Sequence, residues 1–252
     1  MGIHKLAEVS PNATLGKNVD VGPFTIVYDN VEIGANSTIG SHCAIGVETP
    51  LAQGRPLTIG EDSTIRSHSV FYEGSTFGRS LRTGHHVNVR ENLKAGVDLQ
   101  IGTLADLQGK ATIGDHVRIY NAAHIAQETT IGNFVWIFPF VVFTNDPTPP
   151  SDGFLTGITV EDFAVIASGS TVLPGVTIGR DSLVGAHSLV SSDIAPEVFA
   201  TGVPARKVAM ARHVPLRDGS GPAYPWRKHF HRGFPDQIVD GWMTDLGTPG
   251  PE

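Results

Sequence analysis

Asp106 and His124 are eighteen residues apart, and the chain around them holds further groups that could handle protons or anions. These include His85, His86, Arg90, Asn121, Asn145 and Asp146. A carboxylate beside an imidazole fixes its tautomer and raises its basicity, as a general base requires. The same two groups on a strand surface also make an ordinary cross-strand ion pair. Both readings require that the chain bring residues 106 and 124 together, which depends on the elements that carry them.

Those elements follow a six-residue period. From Ile59 every sixth residue runs Ile65, Phe71, Phe77, Thr83, Val89, Ala95, Ile101, Leu107 and on to Phe143, nearly all apolar. The same frame reads Leu15 to Ile45 upstream and Val160 to Val190 downstream. A fixed short period of this kind marks a solenoid. The apolar residue points inward and its neighbours outward, while a small or branched residue two places earlier (Ser63, Val87, Ala111, Ala123) lets the chain turn. Three such hexads close a coil of roughly 18 residues, so the pattern predicts an all-β parallel β-helix of about nine coils over residues 1–208. Parallel crossovers are right-handed in nearly all sheets, and the period alone does not override that.

Residues eighteen apart then lie on adjacent coils, about 4.8 Å from each other. Asn88, Asp106 and His124 form one column, with Asp106 beside His124. Ser67, His85, Thr103 and Asn121 form a second, and His68 and His86 a third. The frame breaks at 46–58 and 144–159 fall between whole coils and read as loops extruded from corners. Residues 1–10 lead into the first coil and are expected to cover its open end. After 208 the frame stops. The C-terminal extension 209–252, with PWRKHFHRGFP rich in aromatic and basic groups, reads as a segment that packs on the barrel or on a neighbouring subunit. Tyr120, His124 and Trp136 are expected outward at one height, which suits a closed cyclic interface and hence a homotrimer.

A solenoid grows by stacking, so 252 residues need no second core. The net charge of −7 argues against nucleic acid or an anionic membrane as the main partner. No apolar run reaches the length of a membrane span, and MGIHKLAEVSP lacks a signal-peptide pattern, so a cytoplasmic protein is expected. Cys43, the only cysteine, occupies the small inward position two before Ile45 and reads as a buried hydrophobe. Neither a disulfide nor a catalytic thiolate is expected.

The segment Ile158 to Val208, which includes STVLPGVTIGRDSLVGAHSLVSSDIAPEVFATGVPARKV, resembles the closing coils of left-handed β-helix acyltransferases. GVPARKV after the last coil resembles members that use coenzyme A for acetyl transfer. TGHHVNVREN at 83–92, IGT at 101–103 and VWIFPFVVFTND at 135–146 are similar to N-acetyltransferases of nucleotide-linked amino sugars. The resemblance implies a left-handed coil and a trimer with active sites between subunits. It also implies acetyl-CoA along the later coils and the sugar nearer the N-terminal ones. Carried over, Ser168 and Ala186 line the pantetheine arm, and Arg206 and Lys207 meet the CoA phosphates. Asn121 lies beside the acetyl group, His85, His86 and Arg90 bind substrate, and Asn145 and Asp146 belong to a loop that frames the sugar.

Two departures stand out. Sugar O-acetyltransferases of the wider superfamily carry a catalytic His-Pro in the second loop, where this chain has Asp146-Pro147. His124 replaces a residue that is often small or uncharged in the amino-sugar enzymes. A zinc site like that of hexapeptide-type carbonic anhydrases is not expected. Starting from His85 its other ligands fall on Asn121 and Ala126, and starting from His86 on Ala122 and Gln127. The expectation is an acetyl-CoA-dependent N-acetyltransferase acting by direct attack on a dTDP- or UDP-linked amino sugar. In it Asn121 orients the acetyl group, His124 held by Asp106 is the first candidate base, and Asp146 the second. The alternatives are a sugar O-acetyltransferase or other acyl-CoA acyltransferase, and a non-catalytic or carbonic-anhydrase-like trimeric scaffold.

Overall fold

A computed structural model describes residues 2–151 and 153–246. Each hexad contributes a short strand ending on its apolar residue, as in Thr64–Ile65, Asp106–Leu107 and His124–Ile125. Every such strand pairs in parallel with the strand three hexads on, which builds three sheets of ten, nine and eleven strands. The chain is thus a left-handed parallel β-helix with three faces. The first face carries Asn88, Asp106 and His124 in register, the second Thr76, Lys94 and Thr112, and the third Arg82, Gln100 and Arg118.

The inward residues form one continuous core, with Ile65, Phe71, Leu107, Ile125 and Phe143 fully buried. Each such side chain stabilises the fold by about 1.5–3 kcal/mol relative to exposure. One residue at each corner bends the chain in the left-handed region, among them His86 (φ 55°), Leu104 (φ 62°), Ala122 (φ 54°) and Phe140 (φ 62°). That conformation costs a non-glycine residue roughly 1–2 kcal/mol. Its backbone N–H continues the ladder, since Ala122 donates to the Thr103 carbonyl at 2.9 Å and Phe140 to that of Asn121 at 3.1 Å.

More levels are present than the expected nine. Ile3 and Val9 continue the frame backwards, so Ile3 bridges Val21 and Glu8–Val9 pairs with Ile26–Val27. The first ten residues therefore build a coil and do not merely cover one. At the far end, Val198–Gly202 extends the third face beside Leu183–Val184, and Ala205–Met210 folds back antiparallel to it. The reversal shields the last parallel edge.

Both frame breaks leave from the corner between the first and second faces. One lies between Ala44–Val47 and Leu57–Ile59, the other between Val142–Phe143 and Thr159–Val160. The C-terminal segment returns over the third face of its own barrel. Phe163, Val165 and Leu183 of that face share a second core with Trp226, Phe234 and Trp242, the last on the helix Asp236–Asp245. The Trp226 indole N–H donates to the Phe163 carbonyl at 3.1 Å, and Arg227 is ion-paired with Asp181. The expected extension to 252 is described only as far as residue 246. Among the described residues no helix is long and apolar enough to cross a membrane.

Candidate active site

The register places Asp106 directly opposite His124 on the first face. Asp106 Oδ2 lies 3.0 Å from His124 Nδ1. Asn88 donates to Asp106 Oδ1 at 2.7 Å, and Gln108 donates to Oδ2 at 2.6 Å. The His124 hydrogen bond above all, with those from Asn88 and Gln108 and against the cost of burial, holds the Asp106 carboxyl down at about 2. An ionised carboxylate at Nδ1 keeps the proton there in the neutral ring and leaves the Nε2 lone pair outward. His124 and Asp106 are 38% and 34% exposed, so the pair is within reach of a ligand.

The corner between the third and first faces carries a single row: Ser67, His85, Thr103, Asn121, Pro139, Ser168 and Ala186. Each member of its first half is tied to the next coil. Ser67 Oγ is 2.6 Å from His85 Nδ1, and the His85 N–H donates to Thr103 Oγ1 at 3.2 Å. The Thr103 N–H donates to Asn121 Oδ1 at 3.1 Å. With its carbonyl engaged, Asn121 has its amide N–H groups free among the described residues. It stands exposed three residues before His124.

Ser168 and Ala186, the two residues expected to line a cofactor, follow on the same row. Arg206 is the register partner of Thr201, which packs against Gly185 beside Ala186, so the exposed Arg206 and Lys207 stand at the end of that row. Arg206 hydrogen-bonds only back to the Ala205 carbonyl, at 2.9 Å, among the described residues.

Other expected residues are dispersed or occupied. His86 belongs to an aromatic stack with His68 at 4.6 Å, which stacks in turn on His42 at 4.9 Å, and this column projects from the corner. Arg90 lies across the first face, at its corner with the second. There it pairs with the buried Glu91 at 3.0 Å and covers the Tyr72 ring. His85, His86 and Arg90 are therefore not one cluster. Asn145 reaches the Gln127 carbonyl at 3.5 Å, pinning the second loop to the coil below. Asp146 accepts the N–H groups of Thr148 and Ser151, each at 3.0 Å. Burial pushes its carboxyl up, but those hydrogen bonds outweigh it and hold it below the usual range. Asp146 thus serves as the clasp of its own loop.

The expected common height of Tyr120, His124 and Trp136 needs correction. Trp136 is a third-face residue packed edge-on against Trp226 and Phe230 of the C-terminal segment, and Tyr120 stacks on Phe138 beside it. Of the three, only His124 lies on the first face. Sequence reasoning also passed over Gln108, whose signal was its place two residues from Asp106 on the same side of the chain. It passed over a third-face cleft as well, described below.

Comparison with known proteins adds a family. A model of the bacterial transferase hexapeptide (six repeats) matches residues 12–46. An acyl-(acyl-carrier-protein)–UDP-N-acetylglucosamine O-acyltransferase of Aliivibrio fischeri is 34% identical over 201 residues, 79% of this chain and 70% of that protein. Its counterpart in Thermodesulfovibrio yellowstonii is 30% identical over 239 residues, 94% of this chain and 80% of that protein. The solved Arabidopsis UDP-N-acetylglucosamine acyltransferase shares the fold, with a TM-score of 0.65 at 21% identity over 82% of this chain and 74% of that one.

Proposed function

The chain belongs to the hexapeptide-repeat acyltransferases, the family of these O-acyltransferase relatives, and from that premise we propose that it carries acetyl from acetyl-CoA to the amine of a nucleotide-linked amino sugar. The observation that carries the reading is the 3.0 Å Asp106–His124 pair, with Asn121 three residues before His124 on the adjoining corner and its carbonyl already engaged. His124 Nε2 takes a proton from the sugar ammonium, and the freed amine attacks the thioester carbonyl. The Asn121 amide steadies the oxyanion of the tetrahedral adduct. Collapse expels the CoA thiolate, which receives the proton held by His124, while the second proton on the attacking nitrogen passes to water and leaves the neutral amide. Acetyl-CoA lies along Ser168 and Ala186 with its phosphates at Arg206 and Lys207. The enzyme acts in the cytoplasm.

No acyl-enzyme takes part. Cys43 is buried inside the coil, and burial pushes its thiol up, away from the reactive thiolate. A second reading, acyl transfer to a sugar hydroxyl, is favoured by the names of the relatives and by the dyad itself, because a hydroxyl needs a base more than an amine does.

Release of CoA thiol, followed with acetyl-CoA and a panel of acceptors, tests both. Release with UDP- or dTDP-linked amino sugars, with an amide in the product mass spectrum, supports N-transfer. Release with UDP-N-acetylglucosamine alone, giving an ester cleaved by mild hydroxylamine, replaces it with O-transfer. Silence across the panel removes both.

A further inference from the structure

The third face carries a cleft with two chemically distinct ends. One end is a cavity of 340 Å³ lined by Arg66, Arg82, Gln100, Thr103, Tyr120 and Asn121, over a floor that includes Gly84 and Gly102. The other, of 310 Å³, is lined by Tyr120, Trp136 and Phe138 and roofed by Tyr224, Trp226 and Phe230 of the C-terminal segment. Tyr120 lines both, so the two adjoin.

At the basic end, Arg66 and Arg82 have no acidic partner among the described residues. By contrast Arg90, Arg118, Arg180 and Arg227 are each ion-paired. Two free guanidiniums in a chain of net charge −7 leave a local site for an anion. The floor is bare because a Cβ on Gly84 or Gly102 would run into the backbone of the next coil, at Thr103 and Asn121. At the aromatic end, Tyr120 and Phe138 stack at 4.9 Å, and Phe230 stands edge-on to Trp136 at 5.3 Å. The buried Trp136 indole N–H has no acceptor among the described residues. Arg82 and Trp136 are three coils apart, about 14 Å at about 4.8 Å per coil. Aromatic walls and a distal pair of guanidiniums are the complement of a flat ring joined to phosphates.

We infer that the third-face cleft binds a nucleoside diphosphate, its base in the aromatic pocket lined by Tyr120, Trp136 and Phe230 and its phosphates at Arg66 and Arg82. The inference rests on the acceptor being nucleotide-linked and adds where the nucleotide lies. The phosphates then sit level with Ser67 and His85, on the corner row that continues through Thr103 to Asn121 two coils on. The C-terminal segment becomes part of substrate recognition, a role its sequence alone did not reveal.

Two of the three tryptophans line the cleft, so intrinsic fluorescence reports occupancy without turnover. UDP and dTDP are titrated into the full chain, with uridine, pyrophosphate and 3′-phospho-ADP as the other arms. The expected result is quenching by the pyrimidine diphosphates. Arg82→Gln should weaken UDP at least tenfold without changing uridine, while Phe230→Ala weakens both at least tenfold. If Phe230→Ala lowers the melting temperature, Phe230→Leu keeps the apolar roof without the ring and gives the same readout. Pyrophosphate binding as tightly as UDP, 3′-phospho-ADP displacing it as the tighter ligand, or affinity unchanged in both variants overturns the site. Acetyl transfer to a nucleotide sugar with KM unaffected by Arg82→Gln and Phe230→Ala overturns it while sparing the proposed function. Failure of the function shows instead as nucleotide binding in the cleft without thiol release.

Discussion

His124 is the side chain on which the proposed chemistry turns. Removing a general base typically costs about 10²–10⁴-fold in rate. His124→Ala should therefore lower kcat at least a hundredfold at pH 7, with partial recovery at higher pH as more amine arrives neutral. A change of only a few-fold would leave the proton to water or to the departing thiolate. Asp106 allows a separate test. Its carboxyl is held at about 2 in the folded chain, chiefly by His124, against roughly 3.9 for an unperturbed aspartate. A depressed folded value stabilises the fold above the unfolded pKa, and that stabilisation is lost as pH falls through the folded one. The stability gap between wild type and Asp106→Asn should thus be level from pH 5 to 7 and close between about pH 4 and pH 2, read from denaturant midpoints. A gap independent of pH would mean that the carboxylate charge contributes nothing to the pair. The dyad was legible in the sequence because a step of eighteen is one coil. The clasping role of Asp146 was not, since it depends on hydrogen bonds to Thr148 and Ser151 inside an irregular loop.

The barrel strands and the C-terminal segment differ in how openly the sequence declares them. An inward site such as Ile125 recurs every six residues because each coil must fill the same triangular core, so periodicity exposes it. The first coil was underread although Ile3 and Val9 obey the same frame. The segment after residue 210 has no period, and its contacts join residues far apart, such as Phe134 with Trp242 and Phe163 with Trp226. Composition marked it as sticky without naming the face it would cover. Trp242 is buried among Phe134, Phe163, Trp226 and Phe234, and truncating such a ring costs about 3–5 kcal/mol. Trp242→Ala should speed amide exchange across residues 211–246 while protection of the barrel strands stays near wild type. Equal loss in both would show one cooperative unit. The hairpin after the last coil carries its own test. Arg206→Ala with Lys207→Ala should raise the KM for acetyl-CoA at least tenfold and leave that for the sugar nearly unchanged; an unchanged acetyl-CoA constant would move the cofactor elsewhere.

At the scale of the whole molecule, the three faces are unequal. The third is covered in part by the C-terminal segment, and the second presents a ladder of short polar side chains such as Thr112, Thr130 and Thr159. The first carries the dyad in the open, bounded at one edge by the Asn121 row and at the other by Arg90 and the second loop. A bound thioester and sugar there would be walled on one side only, leaving the reaction in contact with water. A second copy laid against that face would complete the groove, and repeating the contact three times closes a ring with no free interface. The assembly is therefore proposed to be a trimer with the dyad between subunits. Light scattering that finds a monomer at micromolar concentration would overturn it. Co-refolding reaches the shared site directly. His124→Ala chains and Arg206→Ala/Lys207→Ala chains are each impaired alone at low acetyl-CoA, and neither holds a complete set of groups. If the base and the CoA-phosphate groups come from different subunits, mixed trimers contain interfaces with both intact, and activity returns above the sum of the two parents. Activity no greater than that sum, with mixing verified by mass, would place both sets of groups on one chain and leave the trimer without a part in the chemistry.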